Sequence, residues 1–91
     1  MIARRILIEG KVQDVYFREW TVRTAQELDV AGWVRNLQDG RVEVYAVGEA
    51  GSVERFIKRL HDGSPASEVE HVLAEEAPVE RLHSFMRRQS H

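Results

Sequence analysis

The feature that most constrains the fold is the dipeptide Asp39-Gly40, which separates two segments with strand-like patterns, residues 31–38 and 41–47. An Asp-Gly pair between two such segments is the strongest short-range signal for a two-residue β-hairpin turn. The two segments are therefore predicted to be antiparallel neighbours in a sheet.

The second arm of this hairpin alternates strictly in polarity. Val42, Val44 and Ala46 fall on one side of the strand, and Arg41, Glu43 and Tyr45 fall on the other. Such alternation is typical of an antiparallel sheet with one face on the core and one face toward water. We therefore expect only one face of the sheet to be covered.

Two helices are predicted from apolar stripes at helical spacing. The first runs over residues 19–29, and the second begins with Ser52 as its N-cap and ends at Gly63. The stripe of the second helix consists of Val53, Phe56, Ile57 and Leu60.

Three further segments are predicted to be strands. Residues 5–10 form an apolar run typical of a central strand, residues 69–74 break alternation in a way that indicates a bulge, and residues 84–88 are short enough for an edge. The resulting order, βαββαβ, is that of the ferredoxin-like sandwich. We predict an α+β single domain over residues 1–91, with a four-stranded antiparallel sheet, two helices on one face and a short fifth strand.

The composition excludes several classes of function. The chain has no cysteine, so thiolate catalysis, Cys-ligated zinc and disulfides are absent. A formal net charge of −2 argues against sequence-independent nucleic-acid binding. The histidines form no metal-binding motif and are expected at the surface; they are His61, His71, His83 and His91.

The chain also lacks targeting and membrane signals. No segment approaches the roughly 20 apolar residues of a transmembrane helix, and the N-terminus has no signal-peptide core. We therefore expect a soluble cytoplasmic monomer with no membrane or nucleic-acid partner and no metal.

An irregular stretch over residues 10–18 joins the first strand to the first helix. Backbone N–H groups at a helix start lack intrahelical partners, and the helix dipole favours an anion there. Arg18 lies at the end of this stretch, and its guanidinium can hold two phosphate oxygens at once. These features alone leave two interpretations open, a phosphate-binding arginine and a solvated one.

Two dispersed motifs favour the first interpretation. They are Ile8-x-Gly10-x-Val12-Gln13-Asp14-Val15-x-Phe17-Arg18, and Gly32-Trp33-Val34-Arg35-Asn36-x-x-x-Gly40-x-Val42 followed by Gly48. At both motifs the chain resembles the acylphosphatase family, and the resemblance extends from the first strand to Phe85. It implies the ferredoxin-like fold and cofactor-independent hydrolysis of acyl phosphates to a carboxylate and inorganic phosphate.

The resemblance also implies roles for individual residues. Arg18 would bind the phosphate, and Asn36 would orient the attacking water, since an amide can both donate and accept hydrogen bonds. The loop amides would complete the phosphate cradle; they belong to Gln13, Asp14, Val15, Tyr16, Phe17 and Arg18. Without the resemblance, Asn36 would be interpreted as a polar edge residue.

The family pattern is broken at Asp14, where the family's loop usually carries Gly. A Gly there suits a positive φ, and a carboxylate beside an anion site repels the substrate. A second hypothesis is therefore an anion-binding module with weak or no turnover. Phe17, Phe56 and Trp33 are expected in the core rather than as ligand platforms, and Trp33 is also, with Tyr16, a candidate to contact the acyl group.

Overall fold

The computed structural model describes residues 1–89, so the predicted surface position of His91 lies outside the described residues. Five strands and two helices follow one another along the chain: β1 (Ile2–Lys11), α1 (Phe17–Glu27), β2 (Ala31–Asn36), β3 (Val42–Gly48), α2 (Ala50–Asp62), β4 (Glu68–Glu76) and β5 (Phe85–Arg87). The predicted order of elements is confirmed, including the short strand near the end.

The strands form one sheet in the order β4-β1-β3-β2-β5. The four long strands pair antiparallel, as predicted, whereas β5 runs parallel to β2. The sheet is therefore mixed, with a four-stranded antiparallel part and a short parallel strand at its edge. This is the predicted ferredoxin-like α+β class.

The main core lies between one face of the sheet and both helices. Phe17 and Phe56, one from each helix, are buried together with Ile6 and Ile8 of β1. Phe85 of β5 closes this core edge-on against Phe56, with ring centroids 5.6 Å apart. Edge-to-face packing of this kind fixes β5 to the helical layer.

The β2–β3 hairpin has a longer turn than the Asp-Gly signal predicts. The N–H of Leu37 donates to the carbonyl of Arg41 at 2.8 Å, and the N–H of Gly40 donates to the carbonyl of Leu37 at 3.2 Å. The loop therefore comprises residues 38–40, with Gly40 at φ 97°. A turn followed by a positive-φ glycine is the usual three-residue hairpin, so the prediction of a two-residue turn was wrong while the antiparallel pairing was correct.

Both helices begin before the predicted positions. The N–H of Val53 donates to the carbonyl of Glu49 at 3.0 Å, so Glu49 is the N-cap and Ser52 lies within the first turn of α2. The predicted end is confirmed, because Gly63 follows the last helical residue at φ 75°. In α1 the first helical residue is Phe17 rather than Glu19.

The bulge predicted in β4 is present beside the end of β1. Glu9 pairs with His71, but Gly10 pairs with Val69, which leaves Glu70 as the extra residue. Gly10 has φ 130°, and a Cβ there would lie 2.1 Å from the carbonyl oxygen of Glu68. A side chain is thus excluded at the point where β1 bends toward the loop before α1.

The second face of the sheet is less open than its polarity pattern predicts. Tyr45 is buried there, and its hydroxyl donates to the carbonyl of Pro78 at 2.6 Å and accepts from the N–H of Glu80 at 2.8 Å. Ala77 and Leu82 pack in the same cluster. The segment between β4 and β5 therefore covers this end of the face, and the expectation of an uncovered face was wrong there.

Glu43 is the second exception on this face. Its side chain accepts hydrogen bonds from Arg5 at 2.5 Å and from Arg35 at 2.6 Å, and the residue is 1% exposed. Burial alone would raise the pKa of Glu43, but the hydrogen bonds from Arg35 and Arg5 outweigh it and hold the pKa below its usual value. The carboxylate is therefore ionised and held between two cations across β1, β3 and β2.

Candidate active site

The loop between β1 and α1 has an unusual backbone. Asp14 and Tyr16 both have positive φ, at 60° and 58°, whereas Val15 between them does not. Alternation between right- and left-handed conformations turns successive N–H groups toward one side and forms a concavity that suits an anion. A backbone of this kind can hold an anion, and the phosphate cradle at this loop stays a prediction.

The start of α1 adds free donors beside this concavity. The first helical hydrogen bond is donated by the N–H of Trp20 to the carbonyl of Tyr16 at 3.1 Å. The N–H groups of Phe17, Arg18 and Glu19 precede this bond. Within residues 1–89, the side chain of the N-cap residue Tyr16 forms no hydrogen bond with them. They are available to a ligand at the positive end of the helix dipole.

Gln13 holds the loop against the neighbouring hairpin. Its side-chain amide donates to the carbonyls of Leu37 and Arg41 at 2.8 and 2.9 Å. These two bonds position the loop next to the end of β2, a role that the sequence does not reveal. The side chains of Gln13 and Val15 do not line the cleft described next, so their part in anion binding, through backbone amides, stays a prediction.

A cleft of about 330 Å³ opens between this loop, the first turn of α1 and the end of β2. Arg18 and Asn36, which are 18 positions apart in the chain, both line it. The other lining residues are Val12, Asp14, Tyr16, Phe17, Glu19 and Arg87. Tyr16 is 82% exposed and forms the rim, whereas Phe17 belongs to the buried floor.

Arg18 is held in place by the residue that follows the last strand. One of its terminal nitrogens donates to the carbonyl of Arg88 at 3.2 Å. The N–H of Arg88 donates to the carbonyl of Val34 at 2.8 Å, and its guanidinium lies 4.8 Å from the centre of the Trp33 ring. Because a guanidinium has five donors, Arg18 keeps most of them for a ligand.

Trp33 thus lies away from the cleft. It stacks on Tyr45 on the sheet face opposite the helices, with ring centroids 6.1 Å apart. Of the two aromatic residues considered for acyl contact, only Tyr16 lines the cleft.

Asn36 has a buried oxygen that lacks a partner. The residue is 7% exposed, and within residues 1–89 its Oδ1 accepts no hydrogen bond. A buried acceptor without a donor is unfavourable by about 1–3 kcal/mol unless water or a ligand satisfies it. This arrangement does not fit an exposed polar edge residue, because Asn36 is buried although β5 pairs with β2 only as far as Val34.

Two charged residues of the cleft were missed by the sequence analysis. Glu19 follows Arg18 in the first turn of α1, and Arg87 reaches the cleft from β5, with its nitrogen 3.9 Å from the Glu19 carboxylate. The only sequence signal for Arg87 is the pair Arg87-Arg88, and it indicates nothing until β5 is known to lie beside β2.

Residues 1–89 contain no group of three side chains arranged to hold a metal ion. The three histidines within that range, His61, His71 and His83, are exposed, as predicted. Within the same range, no helix is long and apolar enough to cross a membrane.

Comparison with known proteins identifies the family of this chain. The acylphosphatase family model matches residues 4–86. An acylphosphatase of Rhizorhabdus wittichii is 54% identical over 77 residues, which cover 85% of this chain and 78% of the relative. One from Archaeoglobus fulgidus is 44% identical over 85 residues, covering 93% and 96%.

The fold comparison gives the same result. The crystal structure of an acylphosphatase from Bacillus subtilis superimposes with a TM-score of 0.93 at 36% identity, covering 97% of this chain and 99% of that one. The α+β sandwich, with a cleft bordered by the β1–α1 loop, α1 and β2, defines the class of small domains to which that structure belongs. The chain belongs to the acylphosphatase family. The second hypothesis, an anion-binding module without turnover, finds no support in these comparisons.

Proposed function

We propose that this chain, as a single domain over residues 1–91, hydrolyses acyl phosphates in the cleft between the β1–α1 loop and the end of β2. The observation that carries the proposal is that Arg18, the first amides of α1 and the Asn36 oxygen line one cleft, where these amides and this oxygen have no hydrogen-bond partner within residues 1–89. Attack of water on a phosphoryl group requires three things: a guanidinium that binds the phosphate, N–H donors for its oxygens, and a buried acceptor that binds the attacking water.

The phosphate-binding half of the site consists of Arg18 and backbone amides. The N–H groups of Phe17, Arg18 and Glu19 precede the first helical hydrogen bond, and the positive φ of Asp14 and Tyr16 favours a concavity lined by the loop amides of residues 13–16. Amides held by a folded backbone need no reorganisation when charge develops on the phosphoryl oxygens. Arg18 adds a full positive charge and a two-donor contact.

Asn36 supplies the second half by orienting water. Its amide oxygen accepts a hydrogen bond from the water and thereby directs a lone pair of the water oxygen toward phosphorus. The new bond joins the water oxygen to phosphorus, and the bond between phosphorus and the acyl oxygen breaks. The electron pair leaves with the carboxylate, and the protons of the water remain on the phosphate, so a dianionic acyl phosphate gives a carboxylate and dihydrogen phosphate.

The finer features of the proposal rest on composition and charge. The substrate is a small acyl phosphate, and inorganic phosphate is the second product. The net charge of −2 does not favour nucleic acid as a partner. We propose a monomer that acts in the cytoplasm without a cofactor.

The direct test is hydrolysis of benzoyl phosphate by the purified chain in the presence of EDTA. We expect turnover that chelation leaves unchanged and that inorganic phosphate inhibits competitively, because substrate and product share the cradle. A folded sample with no turnover at high enzyme concentration would contradict the proposal.

Asp14 is expected to weaken anion binding at the rim of this site. Its φ of 60° is unfavourable for a residue with a side chain, and its carboxylate faces a cleft built for an anion. We expect Asp14→Gly to lower the inhibition constant of phosphate by about three- to ten-fold, and to raise kcat/KM, because both effects are removed.

Two variants separate the causes of this gain. Asp14→Asn removes the charge and keeps the side chain, so a gain from charge appears in both variants and shrinks with added salt. Asp29→Gly is the matched control, since Asp29 has φ 58° but lies outside the cleft. Unchanged affinity and activity in Asp14→Gly would show that the carboxylate has no influence on the anion.

A further inference from the structure

The active-site cleft continues beyond the phosphate cradle along α1. A shallower second cleft is lined by Glu19, Val22, Arg23 and Arg87. It shares Glu19 and Arg87 with the first cleft, so the two are adjacent along the same helix face. A ligand whose phosphoryl group lies in the cradle can therefore extend into the second cleft.

Arg87 stands where the two clefts meet. It pairs with Val34 in the sheet register, which places its side chain on the helical side of β5. Its nearest carboxylate, that of Glu19, is 3.9 Å away, and both side chains are 52% exposed. Exposed pairs at this distance contribute little to stability, so Arg87 can exchange Glu19 for an anionic ligand.

The charges around the cradle favour one direction for an anionic acyl group. The inner wall is closed by Val12, Phe17 and Asn36, all buried. The first cleft has two exposed sides. One carries Asp14, and the other leads to Arg87, Glu19 and Arg23 in the second cleft. Repulsion on one side and a net positive charge on the other direct an anion toward Arg87.

We infer that Arg87 and Arg23 form a subsite for a second anionic group, a carboxylate or phosphate carried by the acyl portion of the substrate. The inference rests on the proposed function, because it places the reacting phosphoryl group at Arg18. It assigns a specificity role to two arginines, and the preferred substrates are then acyl phosphates with an oxyanion at the far end.

The test compares benzoyl phosphate with 4-carboxybenzoyl phosphate, which differ only in a distal carboxylate. For each variant the measured quantity is the ratio of kcat/KM for the carboxylated substrate to kcat/KM for benzoyl phosphate. Comparing this ratio between variant and wild type cancels the difference in intrinsic reactivity. Arg87→Gln is expected to lower it by about three- to ten-fold, and Arg23→Gln by a smaller factor.

Two further variants sharpen the result. Glu19→Gln removes the competing carboxylate and is expected to raise the ratio. Arg81→Gln removes an exposed arginine outside both clefts and is expected to leave the ratio unchanged. The wild-type preference is expected to shrink as salt is added.

An equal loss on both substrates in Arg87→Gln would overturn the subsite and leave the proposed function standing, since Arg87 would then act on the shared phosphoryl group. An unchanged ratio in both arginine variants would likewise overturn it. Absence of benzoyl phosphate hydrolysis by the wild type would overturn the proposed function and the subsite with it.

Discussion

Arg18→Ala is expected to lose both affinity for phosphate and catalytic rate. In the proposed mechanism the guanidinium contacts the anion in the ground state and stabilises the charge that develops as the acyl oxygen leaves. Loss of a charge-assisted contact should weaken inhibition by inorganic phosphate by about ten- to hundred-fold. The fall in kcat/KM should be larger, on the order of 10²–10³-fold, because the transition state is affected as well.

Arg18→Lys separates the charge of this residue from its geometry. Lysine keeps the positive charge but lacks the planar fork, so an intermediate loss is expected for both quantities. Arg81→Ala serves as the matched control, since it removes an exposed arginine outside the cleft. Normal phosphate inhibition in Arg18→Ala would show that the loop amides bind the anion without this residue.

Most of the fold could be predicted from local patterns. The hairpin, the apolar stripe of α2 and the bulge in β4 each depend on residues close together in the chain, and all three are present. The errors at Ser52 and at the hairpin turn are shifts of three residues and one residue. Such boundaries depend on which backbone hydrogen bonds form. Several residues near each end of an element are compatible with more than one position of that end.

Burial of polar residues in β3 could not be predicted in the same way. Glu43 is enclosed by Arg5 from β1 and Arg35 from β2, and Tyr45 is covered by the segment that follows β4. These partners are 8 to 38 positions away from Glu43 and 33 to 35 positions away from Tyr45. Alternation reports which side a residue faces, but not what later packs against that side.

The residues of the candidate site likewise differ in whether the sequence could predict them. Arg18 and Asn36 could be named because they belong to motifs, and the structure brings both into one cleft. Arg87 could not, because it enters the site only through the parallel pairing of β5 with β2. The anchoring of Arg18 by the carbonyl of Arg88 is equally non-local, as the two residues are 70 positions apart.

Asn36→Ala is expected to lose catalytic rate while phosphate binding changes little. In the proposed mechanism the amide acts on water rather than on the phosphate, so its removal should affect the transition state more than the bound anion. Removal of a preorganised donor or acceptor of this kind lowers kcat by about 10²–10³-fold, or ~2.7–4 kcal/mol. Steady-state kinetics with phosphate as the inhibitor measure both quantities in one experiment. A collapse of phosphate affinity with near-normal kcat would contradict the water-orienting role.

Thermal unfolding of the same variant distinguishes this role from a structural one. If Asn36 stabilised the fold, alanine would lower Tm. However, its buried oxygen has no protein partner within residues 1–89. Removing such an acceptor therefore also removes the free-energy penalty of its desolvation. We therefore expect Tm to stay the same or rise while kcat falls. Gln38→Ala, which removes an exposed amide two positions away, should change neither quantity. A fall in kcat without a fall in Tm would mean that the Asn36 side chain is required for rate and not for stability, as expected of a residue that holds the attacking water.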